Sequence, residues 1–264
     1  MDNNKEDGLP EHLAVKFAML EALGYRLTAD PEILDFGCGA GRSVQVLRDA
    51  GYSGWGCDIR IKASQATAAQ TSAMQKKIET DSMLEAGWLR LIEDDPYRLP
   101  FNDDSFDFVF SEQVLEHVHN YPEMTLELHR IMKPGGACLH FFPSRYQIVE
   151  RHIKVPLAAA LTSHNWLLLW AMLGLRSRSQ KELSARETAR RNFEFLRDRT
   201  NYLPKKQIRR HFSENFENVT FAEKNFLEQS SRGQKIVPLM RVFGFIPDLY
   251  SALKNRVLFA VKAD

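Results

Sequence analysis

Ile33-Leu34-Asp35-Phe36-Gly37-Cys38-Gly39-Ala40-Gly41-Arg42 runs from a short apolar strand into a glycine-rich bend. Glycines at a strand end let the main chain turn sharply, and let a ligand approach backbone that a Cβ would block. A helix read over residues 43–49 follows, and its N-terminus points unpaired N–H groups at that ligand. Two details narrow the ligand. A dinucleotide-binding G-x-G-x-x-G would need glycine where Arg42 stands. Asp35, two positions before the first glycine, would repel a pyrophosphate but can hold a cationic amine.

Outward from this bend, strand-like and helix-like runs alternate. Residues 11–23 place Leu13, Phe17 and Leu20 on one helical stripe, with Ala14 beside it. The pattern predicts strands over 32–36, 55–57, 88–92, 106–110 and 136–142. It predicts helices over 62–85 and 121–132, the latter stopping before Lys133-Pro134-Gly135-Gly136. Short apolar strands alternating with helices imply a parallel sheet covered on both faces. After residue 142 the rhythm breaks. Residues 144–201 read as all helical, and strands return at 219–222 and 257–261. The expectation is an α/β domain of seven strands with a helical insertion: core 30–143 and 202–264, insertion about 144–201, in one domain over 1–264.

Asp58 closes the second strand, about 20 residues past the glycines, where a carboxylate can accept both hydroxyls of a ribose. The plain alternative is an exposed loop aspartate. Further on stand Asp94-Asp95-Pro96-Tyr97 before Leu99-Pro100-Phe101, then Ser105-Phe106-Asp107 and Val114-Leu115-Glu116-His117-Val118. In this order and spacing, together with the D-x-G-x-G-x-G bend and Lys133-Pro134-Gly135-Gly136, the chain resembles class I S-adenosylmethionine-dependent methyltransferases of the methyltransferase type 11 group. The landmarks span residues 33–142.

The resemblance implies a Rossmann-like, doubly wound, mostly parallel seven-stranded sheet that binds S-adenosylmethionine. Gly37, Cys38, Gly39 and Gly41 would line the cofactor, with Asp35 near its methionine amine. Asp58 would take the ribose, and Ile59 follows it. Asp94 or Asp95 would accept from the adenine amino group. Pro96 has no N–H to donate, so the accompanying backbone contact comes from Tyr97 in the one case and Asp95 in the other; both stay open. Ser111, Glu112 and Gln113 leave the fourth strand where an open parallel sheet faces its ligand crevice. Some relatives bind a divalent metal through E-x-x-E-H. Here Gln113 holds the first place and Glu112 lies one residue early, so Glu116 and His117 read as organisers of the loop and no metal is expected. Methyl transfer asks mainly for alignment and exclusion of water, with a general base where the acceptor must lose a proton. His117 leads the candidates, with Glu112, Tyr146 and His152 also named and His140 a further histidine on the fifth strand.

The 264 residues carry a net charge of +1, and no global field argues for nucleic acid. Cys38, Cys57 and Cys138 are too few and too scattered for a disulfide framework or a zinc site. Residues 1–10 read as a polar leader without a secretory pattern. Residues 155–175 lack a formal charge over about 20 positions, near a membrane-spanning length. Pro156, Thr162, Ser163, His164, Asn165 and Gly174 interrupt them, which suits a buried or interfacial helix pair. Residues 176–210 then carry twelve Lys and Arg against four Asp and Glu.

The expected function is therefore methyl transfer, on oxygen, to a small-molecule, lipid or glycan acceptor in the cytoplasm. The stretch 155–210 is the candidate for peripheral contact at the inner face of a membrane. The alternatives are a non-catalytic scaffold on the cofactor fold and an RNA methyltransferase. A nicotinamide-dependent oxidoreductase is disfavoured by Arg42 and Asp35.

Overall fold

The structure, a computed structural model, describes residues 8–59, 80–92 and 97–264. The first strands and helices are α1 (Glu11–Ala22), β1 (Glu32–Phe36), α2 (Arg42–Asp49), β2 (Ser53–Ile59), β3 (Leu89–Ile92) and β4 (Phe106–Glu112). A 3₁₀ turn at Leu115–His117 leads to α3 (Tyr121–Ile131) and β5 (Met132–Pro143). After α4 (His164–Met172), α5 (Ala185–Arg199) and α6 (Lys205–Ser213), the chain returns as β6 (Glu217–Phe221). Four short helices, α7 (Glu223–Gln229), α8 (Ser231–Gln234), α9 (Val237–Val242) and α10 (Ile246–Leu253), precede β7 (Asn255–Val261).

One sheet holds all seven strands in the order β3-β2-β1-β4-β5-β7-β6. The pairs from β3 to β5 are parallel, and β7 runs antiparallel between β5 and β6. Alternation along each strand sends side chains to opposite faces. Leu34, Val109 and Cys138 meet Tyr121, Met124 and Leu128 of α3 and Ile208 and Phe212 of α6 on one face. Ile33, Phe108, Phe110 and Leu139 meet Leu13, Phe17 and Leu20 of α1 and Leu47 of α2 on the other. Both faces are covered, so β4 is buried along nearly its whole length.

Two sequence expectations are corrected. Residues 144–163 are not helical: they form turns closed by a bridge between Val149 and Pro156. Lys154 (φ 61°) and Leu157 (φ 50°) adopt left-handed backbone, and the Glu150 carboxylate accepts the N–H groups of His152 and Ile153, both at 2.8 Å. Those donors are thereby removed from any helical ladder. The apolar run 155–175 forms one helix, α4, whose start is set by the Ser163 hydroxyl accepting the Trp166 N–H. Among the described residues no helix is long and apolar enough to cross a membrane. The helix expected over 62–85 lies mostly outside the described residues; 80–85 are helical.

Gly37 is the tightest point of the first bend. Its φ is 79°, and a Cβ there would stand 2.2 Å from Val114 Cγ2. Gly37→Ala is expected to lower stability by about 1–3 kcal/mol, the scale of left-handed strain at a non-glycine residue. Val114→Ala should relieve the steric part and leave the backbone part. Denaturant midpoints of the single and double variants measure both; equal stability of wild type and Gly37→Ala would refute the assignment.

Candidate active site

The bend after β1 is stitched to the end of β2. The N–H groups of Gly37 and Cys38 both donate to the Cys57 carbonyl, at 2.8 and 3.1 Å. Gly39 N–H donates to Asp58 Oδ2 at 2.5 Å. Gly37, Gly39 and Gly41 all have positive φ, at 79°, 55° and 78°. Their surroundings differ. A Cβ at Gly41 would stand 2.7 Å from Met83 Cε, whereas the Cβ direction at Gly39 meets no described atom within 4 Å. Gly39 thus borders open space, as a ligand-facing glycine must, while Gly37 and Gly41 are needed for packing. Burial pushes the Asp58 carboxyl upward against the opposing Gly39 N–H. Ile59 beyond it is 51% exposed. Cys38 in the bend is half-buried, and burial pushes its thiol up, which disfavours the thiolate.

Asp35, fully enclosed at the end of β1, is pushed up to about 7 by burial, with the nearby Lys16 opposing. Lys16 is the residue that sequence reasoning missed. It is 1% exposed, donates to the His12 carbonyl at 2.7 Å, pairs with Glu112, and lies over the Phe110 and Phe141 rings at 5.0 and 5.1 Å. A signal existed: Lys16 falls on the Leu13–Phe17–Leu20 stripe, where a lysine has no reason to be unless a carboxylate waits for it. Glu112 is therefore held by an ion pair at the crevice edge. Gln113 next to it has φ 58°, strained for a non-glycine residue, and its N–H donates to the Phe141 carbonyl at 2.8 Å.

Beyond β4 the structure brings together residues far apart in sequence. The His117 and His152 rings meet edge to face with centroids 4.9 Å apart. His117 Nδ1 donates to the Arg199 carbonyl at 2.6 Å; a carbonyl only accepts, so Nδ1 carries the proton and Nε2 offers a lone pair. Burial lowers the His117 pKa, and the Arg199 carbonyl opposes it. His152 Nδ1 donates to Glu150 Oε1 at 2.6 Å, which raises the His152 pKa. Burial would raise Glu150, but bonds from His152, Ile153 and Tyr202 outweigh it and lower its pKa. Glu116, 1% exposed, is pushed up to about 7 by burial. Asn201 ties this loop to the insertion, its N–H donating to the Glu116 carbonyl at 2.6 Å and its Nδ2 to the Val118 carbonyl at 2.8 Å.

Other expected residues stand apart. Ser111 is fully buried with its hydroxyl 2.7 Å from His140 Nδ1, so its side chain faces the core and not the crevice. His140 is enclosed and held down to about 3 by burial, a neutral structural imidazole. Tyr146 is 54% exposed, in a turn whose N–H donates to Ser144 Oγ at 3.2 Å. The Tyr97 hydroxyl accepts the His119 N–H at 3.4 Å. Asp94, Asp95 and Pro96 lie outside the described residues. Across the insertion, an open cleft of about 320 Å³ is lined by Arg145, Leu196, Asn201, Tyr202 and Gln207, among others.

A buried acid whose folded pKa exceeds its unfolded value contributes stability at low pH that is lost as pH rises through the folded pKa. Asp35 therefore makes stability fall between about pH 4 and pH 7, by up to about 1.4 kcal/mol per pH unit. Asp35→Asn should flatten that part of the profile. Urea denaturation at several pH values tests this, and parallel wild-type and variant curves would refute it.

Residues 34–140 match the family described as a methyltransferase domain. The demethylmenaquinone methyltransferase of Tropheryma whipplei is 29% identical over 145 residues, 52% of this chain and 55% of that protein. The demethylmenaquinone methyltransferase of Bacillus velezensis is 34% identical over 111 residues, 40% of this chain and 43% of that protein. The chain spans about half the length of the curated relatives it matches. A solved S-adenosylmethionine-dependent methyltransferase from Mesorhizobium loti shares the fold at 15% identity, with a TM-score of 0.52 over 97% of this chain and 100% of that one. The segment that carries the glycine bend, the Asp58 anchor and the β4 exit is thus the part of the chain that matches the methyltransferase-domain family.

Proposed function

We propose that the chain transfers a methyl group from S-adenosylmethionine to oxygen on a small-molecule acceptor. The observation that carries this reading is the bend itself, in which Gly39 faces open space while Asp58 is fixed at one end and Asp35 at the other. The residues present fit the cofactor. Buried Asp35 and Lys16 suit the opposite charges of an amino-acid end, and Asp58 keeps one carboxylate oxygen clear of the Gly39 N–H for ribose hydroxyls. Ile59 and Tyr97 would flank the adenine, with Asp94 or Asp95 accepting its amino group. When bound, S-adenosylmethionine supplies a methyl group activated by its sulfonium. The chain's own part is to align, exclude water and accept a proton. His117 Nε2, with its tautomer set by the Arg199 carbonyl, is the base we assign.

The cleft beside Arg145 and Tyr202 is the proposed acceptor site, with 144–201 as its cap. Relatives named for demethylmenaquinone favour an acceptor of that small-molecule kind. The basic stretch supports a solvated lid over a membrane-docking face. Arg190 and Arg191 pair with Glu187, Arg190 also with Glu194, and Arg197 with Asp198. Trp166 and Trp170 pack with the small core made by Ile153, Leu167 and Leu196.

Calorimetry should show binding of S-adenosylmethionine and S-adenosylhomocysteine but not of NADH. Asp58→Ala should weaken that binding by roughly 1–3 kcal/mol, the scale of lost charge-assisted hydrogen bonds. Affinity for S-adenosylmethionine should rise from about pH 5 to pH 7 in wild type and stay flat in Asp35→Asn, since a cationic amine favours ionised Asp35. A folded protein that binds NADH alone would sink the reading. Binding without labelled methyl transfer to any hydroxylated small molecule would instead favour a scaffold.

A further inference from the structure

Glu116 is 1% exposed, and among the described residues neither carboxylate oxygen has a hydrogen-bond partner in another residue. Burying a carboxylate without partners is strongly unfavourable, and proteins resolve it with hydrogen bonds, a cation or a metal. Beside the Arg151 charge, the groups around Glu116 include two that can ligate a metal. One ligand atom from each of Glu116, His117 and His152 lies within 4.8 Å of the other two. In each ring Nδ1 is already committed, that of His117 to the Arg199 carbonyl and that of His152 to the Glu150 carboxylate, both at 2.6 Å, which leaves Nε2 as the nitrogen available to an ion. Metal-bound histidines are held in this way, one nitrogen on the ion and the other donating to a carbonyl or carboxylate. Glu150 is itself fixed by the Tyr202 hydroxyl, which donates at 2.7 Å, and by two backbone N–H groups. Two oriented imidazoles and an unpartnered carboxylate make a ligand set with its supporting shell in place.

We propose that Glu116, His117 and His152 form a site for one divalent transition-metal ion of the zinc class, joining the loop after β4 to the insertion. Two imidazoles and one carboxylate suit zinc, with its fourth position left to an oxygen ligand. His117 Nε2 then serves as a ligand when the ion is bound, and the base role assigned above applies to the metal-free chain. His152 is 27% exposed, so the site has a path to solvent. Asn201 and Tyr202, which line the cleft beyond, also bond to the Glu116 carbonyl and to Glu150, so an ion here would border the proposed acceptor site. The proposal does not depend on methyl transfer.

The test uses the full chain stripped with chelator, titrated with Zn²⁺ alone by calorimetry without cofactor or acceptor. Binding of one ion per chain is expected, and Co²⁺ should give the visible absorption of a four-coordinate site. Glu150→Gln should weaken binding by about 10–100-fold, as loss of a supporting carboxylate does, and His152→Gln by more. Glu116→Gln should be more stable than wild type in chelator and less stable with Zn²⁺ present, a reversal that a packing role would not produce. No saturable binding of Zn²⁺ to the wild-type chain would overturn the proposal. So would one-ion binding that His152→Gln, a change at a partly exposed side chain, leaves unaltered. Cofactor affinity measured on the same stripped protein keeps failure here separate from failure of the methyltransferase reading.

Discussion

The left-handed turn at Gly37, Gly39 and Gly41, pinned to β2 by the Cys57 carbonyl and Asp58, is the constraint on which the site depends. Positive φ at three positions in five residues is tolerable because none carries a Cβ. The turn lets β1 end against β2 and start α2 at once, so the ends of β1, β2 and β4 open on the same side of the sheet. In a parallel sheet that side is where a ligand finds backbone N–H groups and strand-end side chains. Asp35, Asp58 and Glu112 occupy those ends.

Charge is managed differently at the two sides of this crevice. At the β1 side a buried lysine from α1 meets Glu112 and lies over two aromatic rings, so the low-dielectric pocket holds both signs. Such an arrangement stabilises little by itself, because desolvation offsets the attraction. It does fix α1 against the strand ends and keeps Asp35 close to a cation. At the far side Glu116 makes no ion pair among the described residues, and its neighbours include imidazoles whose Nδ1 atoms are tied down.

Much of the fold was legible because its signals are local. Strand β1 follows the apolar run 32–36, α3 ends where Lys133-Pro134-Gly135-Gly136 forbids a helix, and β4 is an apolar run covered on both faces. Residues 144–163 were misread as helix because their composition lacks obvious breakers beyond Pro143 and Pro156. The left-handed residues Lys154 and Leu157 and the Glu150 carboxylate, which takes up local N–H groups, are stabilised by surrounding structure rather than by propensity. Ser111 was expected to leave the fourth strand but lies within β4, and the strand period does not say that His140 waits for its hydroxyl.

The sequence by itself determined the alternation of strands and helices, the glycine bend and the acidic residues at strand ends, since each follows from spacing within about ten neighbours. Only the tertiary structure decided that Lys16 pairs with Glu112 and that His152 meets His117. Those partners come from segments brought back by α1, by the return after β5 and by the end of α5. The reason is physical: backbone preferences are set by adjacent residues, whereas a buried charge is satisfied by whichever chain passes within hydrogen-bonding distance. No local pattern encodes which chain that will be.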